Sequence, residues 1–226
     1  MKREVLEALR EARREGRPVV LATWLSSGAQ RLLEAPAERD DARSAAVAGV
    51  LQRDRAEVLE LEGGEVLLEP HNPPLRLILI GAVHLARALG EAARLTGFAV
   101  TIVDPRRAFA TEERFPGYPL LTTWPDDAVR ALRVDARTAV VTLTHDPKLD
   151  DPALLAALET PAFYLGCLGS KKTHQARLER LRAHGLGEDA LRRLHGPVGL
   201  PIGARAPAEI AISILAQLIA TLRGAA

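Results

Sequence analysis

Leu77-Ile78-Leu79-Ile80-Gly81-Ala82-Val83-His84-Leu85-Ala86 is an apolar run that stops at a glycine and passes into a helical pattern. Four consecutive apolar residues before the glycine suit a strand buried on both faces, as in a parallel sheet. A second such run, Ala99-Val100-Thr101-Ile102-Val103, ends at Asp104, and an acidic residue about 20 positions after the glycine turn is the layout of a dinucleotide-binding unit. The match is partial. Gly81 keeps the tight turn and Ala86 the close helix contact, whereas Val83 stands where a second glycine lets a pyrophosphate touch the backbone. Asp104 is placed to accept from a ribose hydroxyl, and Arg106 and Arg107 to meet a phosphate. Asp104-Pro105 reads equally well as a strand-ending turn.

The same alternation carries on toward the C-terminus. Helices are predicted over residues 85–95, 125–132, 152–158 and 207–222, and further apolar strands over 138–143 and 162–165. The fold class is therefore α/β: a Rossmann-like parallel sheet with helices on both faces over residues 77–226. A small α+β domain precedes it over residues 1–70. There, helix 5–14 leads to a strand at Val19, the turn Ser26-Ser27-Gly28 and a returning strand at 30–34. Asp40 or Asp41 caps a helix through Ala45, Val47, Val50 and Leu51, and Gly63-Gly64 marks a hairpin. Pro70-His71-Asn72-Pro73-Pro74 carries three prolines in five residues and breaks both helix and central strand, so residues 71–76 form a linker.

Lys and Arg number 30 against 29 Asp and Glu, a net charge of +1 that gives no electrostatic case for nucleic acid or an anionic membrane. No apolar run approaches the roughly 20 residues that span a bilayer. The single cysteine excludes an internal disulfide, and the charged start Met1-Lys2-Arg3-Glu4 lacks an apolar signal region, so a cytoplasmic location is expected.

Tyr164-Leu165-Gly166-Cys167-Leu168-Gly169-Ser170-Lys171-Lys172-Thr173 reads as strand, glycine loop and helix. Glycines permit close backbone approach, Ser170 suits the N-cap, and the first-turn N–H groups with the helix dipole favour an anion. Lys171 and Lys172 oppose that dipole, which points to an external anion. His145 and Asp146 follow an apolar strand and His84 opens a helix, so all three face the carboxyl edge where open parallel sheets bind ligands. The histidines can hydrogen-bond an anionic or pterin ligand or shuttle a proton; His145 and Asp146 can also be ordinary turn caps. Cys167 is either a soft ligand to a cofactor-borne metal or a buried thiol. No spacing marks a protein metal site. Arg205 lies in a glycine-rich loop before the last helix, where it can reach a carboxylate or phosphate or pair with Glu209.

These segments in this order resemble the XdhC/CoxI family, the accessory proteins of xanthine dehydrogenase and related molybdenum hydroxylases. The resemblance runs from Leu77–His84 through Val103-Asp104-Pro105-Arg106, Leu143-Thr144-His145-Asp146 and Tyr164–Lys172. It continues with His195-Gly196-Pro197-Val198-Gly199-Leu200 and Ile202–Ala211. It implies a non-catalytic protein that binds molybdenum cofactor, protects it during terminal sulfuration and hands it to an apo-enzyme. The implied partners are a molybdenum hydroxylase and a cysteine desulfurase. Gly166, Gly169, Ser170, Lys171 and Lys172 would hold the cofactor's phosphate, with Gly81, His84, Asp104, His145, Asp146 and Arg205 lining the remainder. The first 70 residues look shortened: Ser26-Ser27-Gly28-Ala29-Gln30-Arg31 stands where the family has a Gly-Ser-x-Pro-Arg-like segment, and no N-terminal cysteine is present. Two alternatives stay open. One is an NAD(P)-dependent oxidoreductase using the Gly81 turn and Asp104, with His145 as proton donor; the other is a scaffold without ligand. The apolar last helix suggests a homodimer.

Overall fold

The computed structural model describes residues 1–34 and 41–225, which divide into two compact units, Met1–Pro73 and Pro74–Ala226. In the first unit, α1 (Arg3–Glu15) precedes β1 (Val19–Trp24) and β2 (Gln30–Glu34); α2 (Ala42–Arg53) is followed by β3 (Glu57–Leu61) and β4 (Gly64–His71). The strands form an antiparallel sheet in the order β2-β1-β4-β3. Val20, Ala22, Val66 and Leu68 of the sheet pack on Val47, Val50 and Leu51 of α2. Asp41 caps α2, accepting from the Ser44 N–H at 2.6 Å; Asp40, the other candidate cap, lies outside the described residues.

Pro70 is inside a strand, against the sequence expectation. It faces Val20 of β1, while β3 reaches only as far as Leu68 on the other side of β4. Beyond Leu68 that side is an edge, where the missing N–H of a proline costs no ladder bond.

The second unit holds β5 (Arg76–Ile80), α3 (His84–Leu95), β6 (Ala99–Val103), β7 (Leu120–Leu121) and α4 (Pro125–Ala131). It continues with β8 (Thr138–Thr142), α5 (Pro147–Leu158), β9 (Tyr164–Cys167), α6 (Lys171–Ala183), α7 (Glu188–Leu191), β10 (Leu194–His195) and α8 (Pro207–Leu222). All six strands are parallel, in the order β10-β9-β8-β5-β6-β7. Read from β7, this is the doubly wound Rossmann order, and the chain reverses its direction of winding between β5 and β8. The apolar runs serve both faces. Leu77, Leu79, Val100, Ile102 and Val141 pack against α3 and α8, while Ile78, Ile80, Val103, Val140 and Leu165 pack against α4, α5 and α6. Each fully buried leucine or isoleucine contributes about 1.5–3 kcal/mol.

Helix α5 starts at Pro147, earlier than the 152–158 expected. Asp146 caps it by accepting from the Lys148 N–H at 2.9 Å, Pro147 takes the first helical position, and Pro152 is carried inside the helix. The two-residue strands β7 and β10 and the one-turn α7 are absent from the sequence reading, being too short to show a period. Beside β9, the His195 ring stacks on Tyr164 at 4.5 Å, and a Cβ on Gly196 would fall 2.0 Å from His174 Nδ1.

Gly166 fills a close contact in β9: a Cβ there would lie 2.7 Å from Val198 Cγ2 and 2.9 Å from Tyr164 Cε1. Gly166→Ala is expected to cost about 1–3 kcal/mol through overpacking, read as a melting temperature lower by roughly 2–4 °C per kcal/mol. An unchanged melting temperature would show that this seam has room to give. Burial lowers the pKa of His195; burial, then the nearby Arg177 charge, lowers that of His174. Below the ordinary histidine value of about 6.5 the unfolded chain takes up protons that these folded rings refuse. Their contribution to stability is complete above that pH and is lost as pH falls below it. NMR titration of the folded chain should place both rings below about 6.5; a midpoint at or above that value for either ring removes its share of the acid loss.

Candidate functional site

The carboxyl ends of parallel strands lie along one edge of the sheet, so the loops after β5, β6, β8 and β9 gather there. At the point of reversal Gly81 is forced by its neighbour. Its φ is +113°, its N–H donates to the Val103 carbonyl at 2.7 Å, and a Cβ would approach Thr144 Cγ2 to 2.6 Å. The turn after β5 and the turn after β8 are therefore in contact.

Asp104 is fully buried at the end of β6 and its lone pairs are taken. Oδ2 accepts from the Ala82 N–H at 2.8 Å and from Arg106 Nη2 at 2.7 Å; Oδ1 accepts from the Arg106 N–H at 3.0 Å and Arg106 Nε at 2.9 Å. Burial pushes this carboxyl up, but the Arg106 guanidinium and the two N–H groups outweigh it and hold it below the usual carboxylate range. With about four acceptor positions on a carboxylate and four donors present, none remains for a ribose hydroxyl. Together with Val83 in the place of a second glycine, this gives the nicotinamide dinucleotide reading no support. Asp104 fixes the first turn instead.

His84 is the exposed first residue of α3. It lines a groove of about 210 Å³ with Val83, Arg87, Glu113, Arg114 and Phe115. His145 is also exposed and takes a left-handed conformation, φ +60°, in the turn after β8. Asp146 is committed to capping α5.

In the β9–α6 loop, Gly169 has φ +147° and would bring a Cβ to 3.2 Å from Thr173. Ser170 is the N-cap of α6, as the sequence predicts: its Oγ accepts from the Thr173 N–H at 3.1 Å. Lys171 and Lys172 are the exposed first two residues, with no acidic residue in that turn. Helix geometry leaves the other first-turn N–H groups for solvent or a ligand. Gly166 is not part of this loop. It sits within β9 under Val198 and Tyr164, so its missing side chain serves packing and not backbone approach to a phosphate. Cys167 is buried in the core under α5 and α6, and burial pushes its thiol up to about 12, which removes it as a surface ligand. Arg205 is exposed before α8, and Glu209 accepts from the main-chain N–H groups of Arg205 and Ala206 in place of a side-chain ion pair.

Sequence reading missed three residues under this edge. Thr144 Oγ1 accepts from the Asp146 N–H at 3.0 Å and donates to Asp150 Oδ1 at 2.7 Å. Asp150 faces Arg177 Nη2 at 3.5 Å, with side chains 1% and 2% exposed. Burial raises the Asp150 carboxyl against the opposing effects of Thr144 and Arg177. The available signal was charge at core-facing helical positions: Asp150 beside Leu149, and Arg177 one turn before Leu181.

The edge thus presents an anion-favouring helix start and two exposed imidazoles over a buried polar underside. Among the described residues, no group of three His, Cys, Asp or Glu side chains could hold a metal ion. Comparison with known proteins agrees with this architecture. The chain is 34% identical over 150 residues to a probable xanthine dehydrogenase subunit from Bacillus subtilis, covering 66% of this chain and 43% of that one. It is 33% identical over 146 residues to the molybdenum cofactor insertion chaperone PaoD of Escherichia coli, covering 65% and 40%. A crystal structure of a xanthine dehydrogenase from Bacillus halodurans superposes on 98% of this chain and 65% of its own, with a TM-score of 0.72 at 26% identity. The chain spans less than half the length of these two curated relatives. The model of the XdhC Rossmann domain matches residues 77–218, and the chain belongs to the XdhC family.

Proposed function

We propose that this chain is an accessory protein that binds molybdenum cofactor and assists its maturation and insertion into a molybdenum hydroxylase of the xanthine dehydrogenase type. The observation that carries this reading is the start of α6. Gly169 gives a backbone free of side chain, Ser170 closes one N–H internally, and the dipole with Lys171 and Lys172 attracts an anion. The pyranopterin cofactor ends in a phosphate that suits such a start. On this reading His84 and His145, both exposed, hydrogen-bond the pterin, and the exposed Arg205 adds charge. The name of the Escherichia coli relative, a molybdenum cofactor insertion chaperone, supplies the ligand class, which the fold alone does not.

On this reading the chain's work is binding, orientation and protection from water. The recipient is a molybdenum hydroxylase apo-enzyme, and a cysteine desulfurase supplies the sulfur. A second copy is expected on the outer face of α8, where Ile212 is 58% exposed. The cytoplasm is the expected site of action.

Anaerobic equilibrium titration with molybdenum cofactor should give saturable binding that NAD(H) and NADP(H) do not displace. The double variant Lys171→Ala, Lys172→Ala should bind at least ~10-fold more weakly, since two phosphate-facing cations are each worth about 1 kcal/mol or more. Wild-type affinity should also fall with salt, as exposed charges are screened. Displacement by nicotinamide nucleotides, or cofactor affinity indifferent to the lysines, would overturn the reading.

A further inference from the structure

The buried ion pair under the edge has no place in the binding scheme so far. Asp150 is on α5 and Arg177 on α6, and each reaches past its own helix to a different loop. Asp150 Oδ1 accepts from Thr144 Oγ1 at 2.7 Å, and Thr144 in turn accepts from the Asp146 N–H at 3.0 Å. Arg177 Nη2 faces Asp150 Oδ2 at 3.5 Å and donates to the Leu168 carbonyl at 3.1 Å. One continuous polar path therefore runs from the His145 turn to the loop that starts α6.

As a means of stabilising a core, this pair is a poor one. Asp150 Oδ2 and Arg177 Nε and Nη1 are buried without hydrogen-bond partners, as are the adjacent Thr142 Oγ1 and His174 Nδ1. Buried pairs that leave donors and acceptors unmet are matched or bettered in stability by apolar residues of similar volume. The neighbouring pair of Asp151 with Arg180 differs: it is bidentate at 2.5 and 3.1 Å, and Arg180 is part-exposed. Asp151 and Arg180 join helix to helix. Asp150 and Arg177 join loop to loop.

We infer that Asp150 and Arg177 are positioning residues that set the Thr144-His145-Asp146 turn and the Leu168-Gly169-Ser170 loop at a fixed separation for one ligand. The part concerning ligand rests on the proposed function; the coupling of the loops does not.

The test uses the full chain and two readouts. Asp150→Leu with Arg177→Met removes both charges together at similar volume, so no lone buried charge is left and the melting temperature should stay within a few degrees of wild type. Amide hydrogen exchange should nevertheless quicken at both loops. Thr144→Val, which removes the hydroxyl and keeps the methyl beside Gly81, should quicken exchange at Gly169 and Ser170, and Thr144→Ser should restore it. Molybdenum cofactor should bind the double variant at least ~10-fold more weakly despite unchanged stability, because lost pre-organisation must be made up at binding. If the double variant exchanges as wild type at both loops, or Thr144→Val disturbs only its own turn, the coupling is refuted. If exchange changes as expected but wild type binds no cofactor, the coupling holds and the functional proposal fails. Full cofactor affinity in a double variant with loosened loops would refute the ligand-positioning half.

Discussion

The contact between Gly81 and Thr144 ties together the two turns at the centre of the sheet's carboxyl edge. The two turns meet where the winding reverses, and the reversal is the one place in such a sheet where loops diverge to opposite faces and leave a crevice. Here a side chain on Gly81 has no room, because the methyl of Thr144 occupies the space. The same threonine turns its hydroxyl downward to Asp150. One residue thus meets the turn after β5 with its carbon and the next layer with its oxygen, and neither alanine, valine nor serine makes both contacts.

This arrangement changes what the glycine–acid fingerprint means. In a dinucleotide site the acidic residue at the end of the second strand is free for ribose. In this chain it accepts from the Ala82 N–H and from Arg106 through three donors, so the fingerprint has become a structural clamp between the first two strand ends. A buried carboxylate with four donors is a strong and directional joint. Val83 keeps an ordinary extended backbone, φ −99°, so the turn needs no glycine there, and Asp104 holds it from below through the Ala82 N–H.

The fold was legible because its signals are local. Runs such as Leu77–Ile80 are apolar at every position since both faces of the sheet are covered, and Ser170 announces a helix start through chemistry confined to one turn. The failures share a different cause. Gly166 resembles a loop glycine, yet its need is set by Val198, a residue brought back by β10. Pro70 breaks a central strand only where both neighbours are present, and β3 stops short of it. Asp104 reads as a ligand acceptor until Arg106 is seen folded back on it. The Thr144, Asp150 and Arg177 path joins a turn and two helices, and no sequence period encodes a pairing of that kind.

Burial and exposure are divided sharply between the two layers of the edge. The cationic and imidazole groups, His84, His145, Lys171 and Lys172, are exposed, whereas Asp104, Asp150 and Arg177 beneath them are almost wholly enclosed. For an enzyme, an open edge is a weakness, because water screens the charges that would stabilise a transition state. For a protein that must release its ligand intact to a partner, the same openness is an advantage. Exposed charges bind with moderate strength and let go on competition, and the ligand's outer side stays available to the recipient. The loops must then be ordered before the ligand arrives, since an open site gains little contact with which to offset the ordering of mobile segments. The buried layer meets that requirement: the Asp104 clamp holds the first turn, and the Asp150–Arg177 pair holds the other two. On the proposed reading the upper layer supplies the contacts to ligand and the lower layer the geometry in which they are made, so a loosened lower layer lowers affinity without removing a single contact.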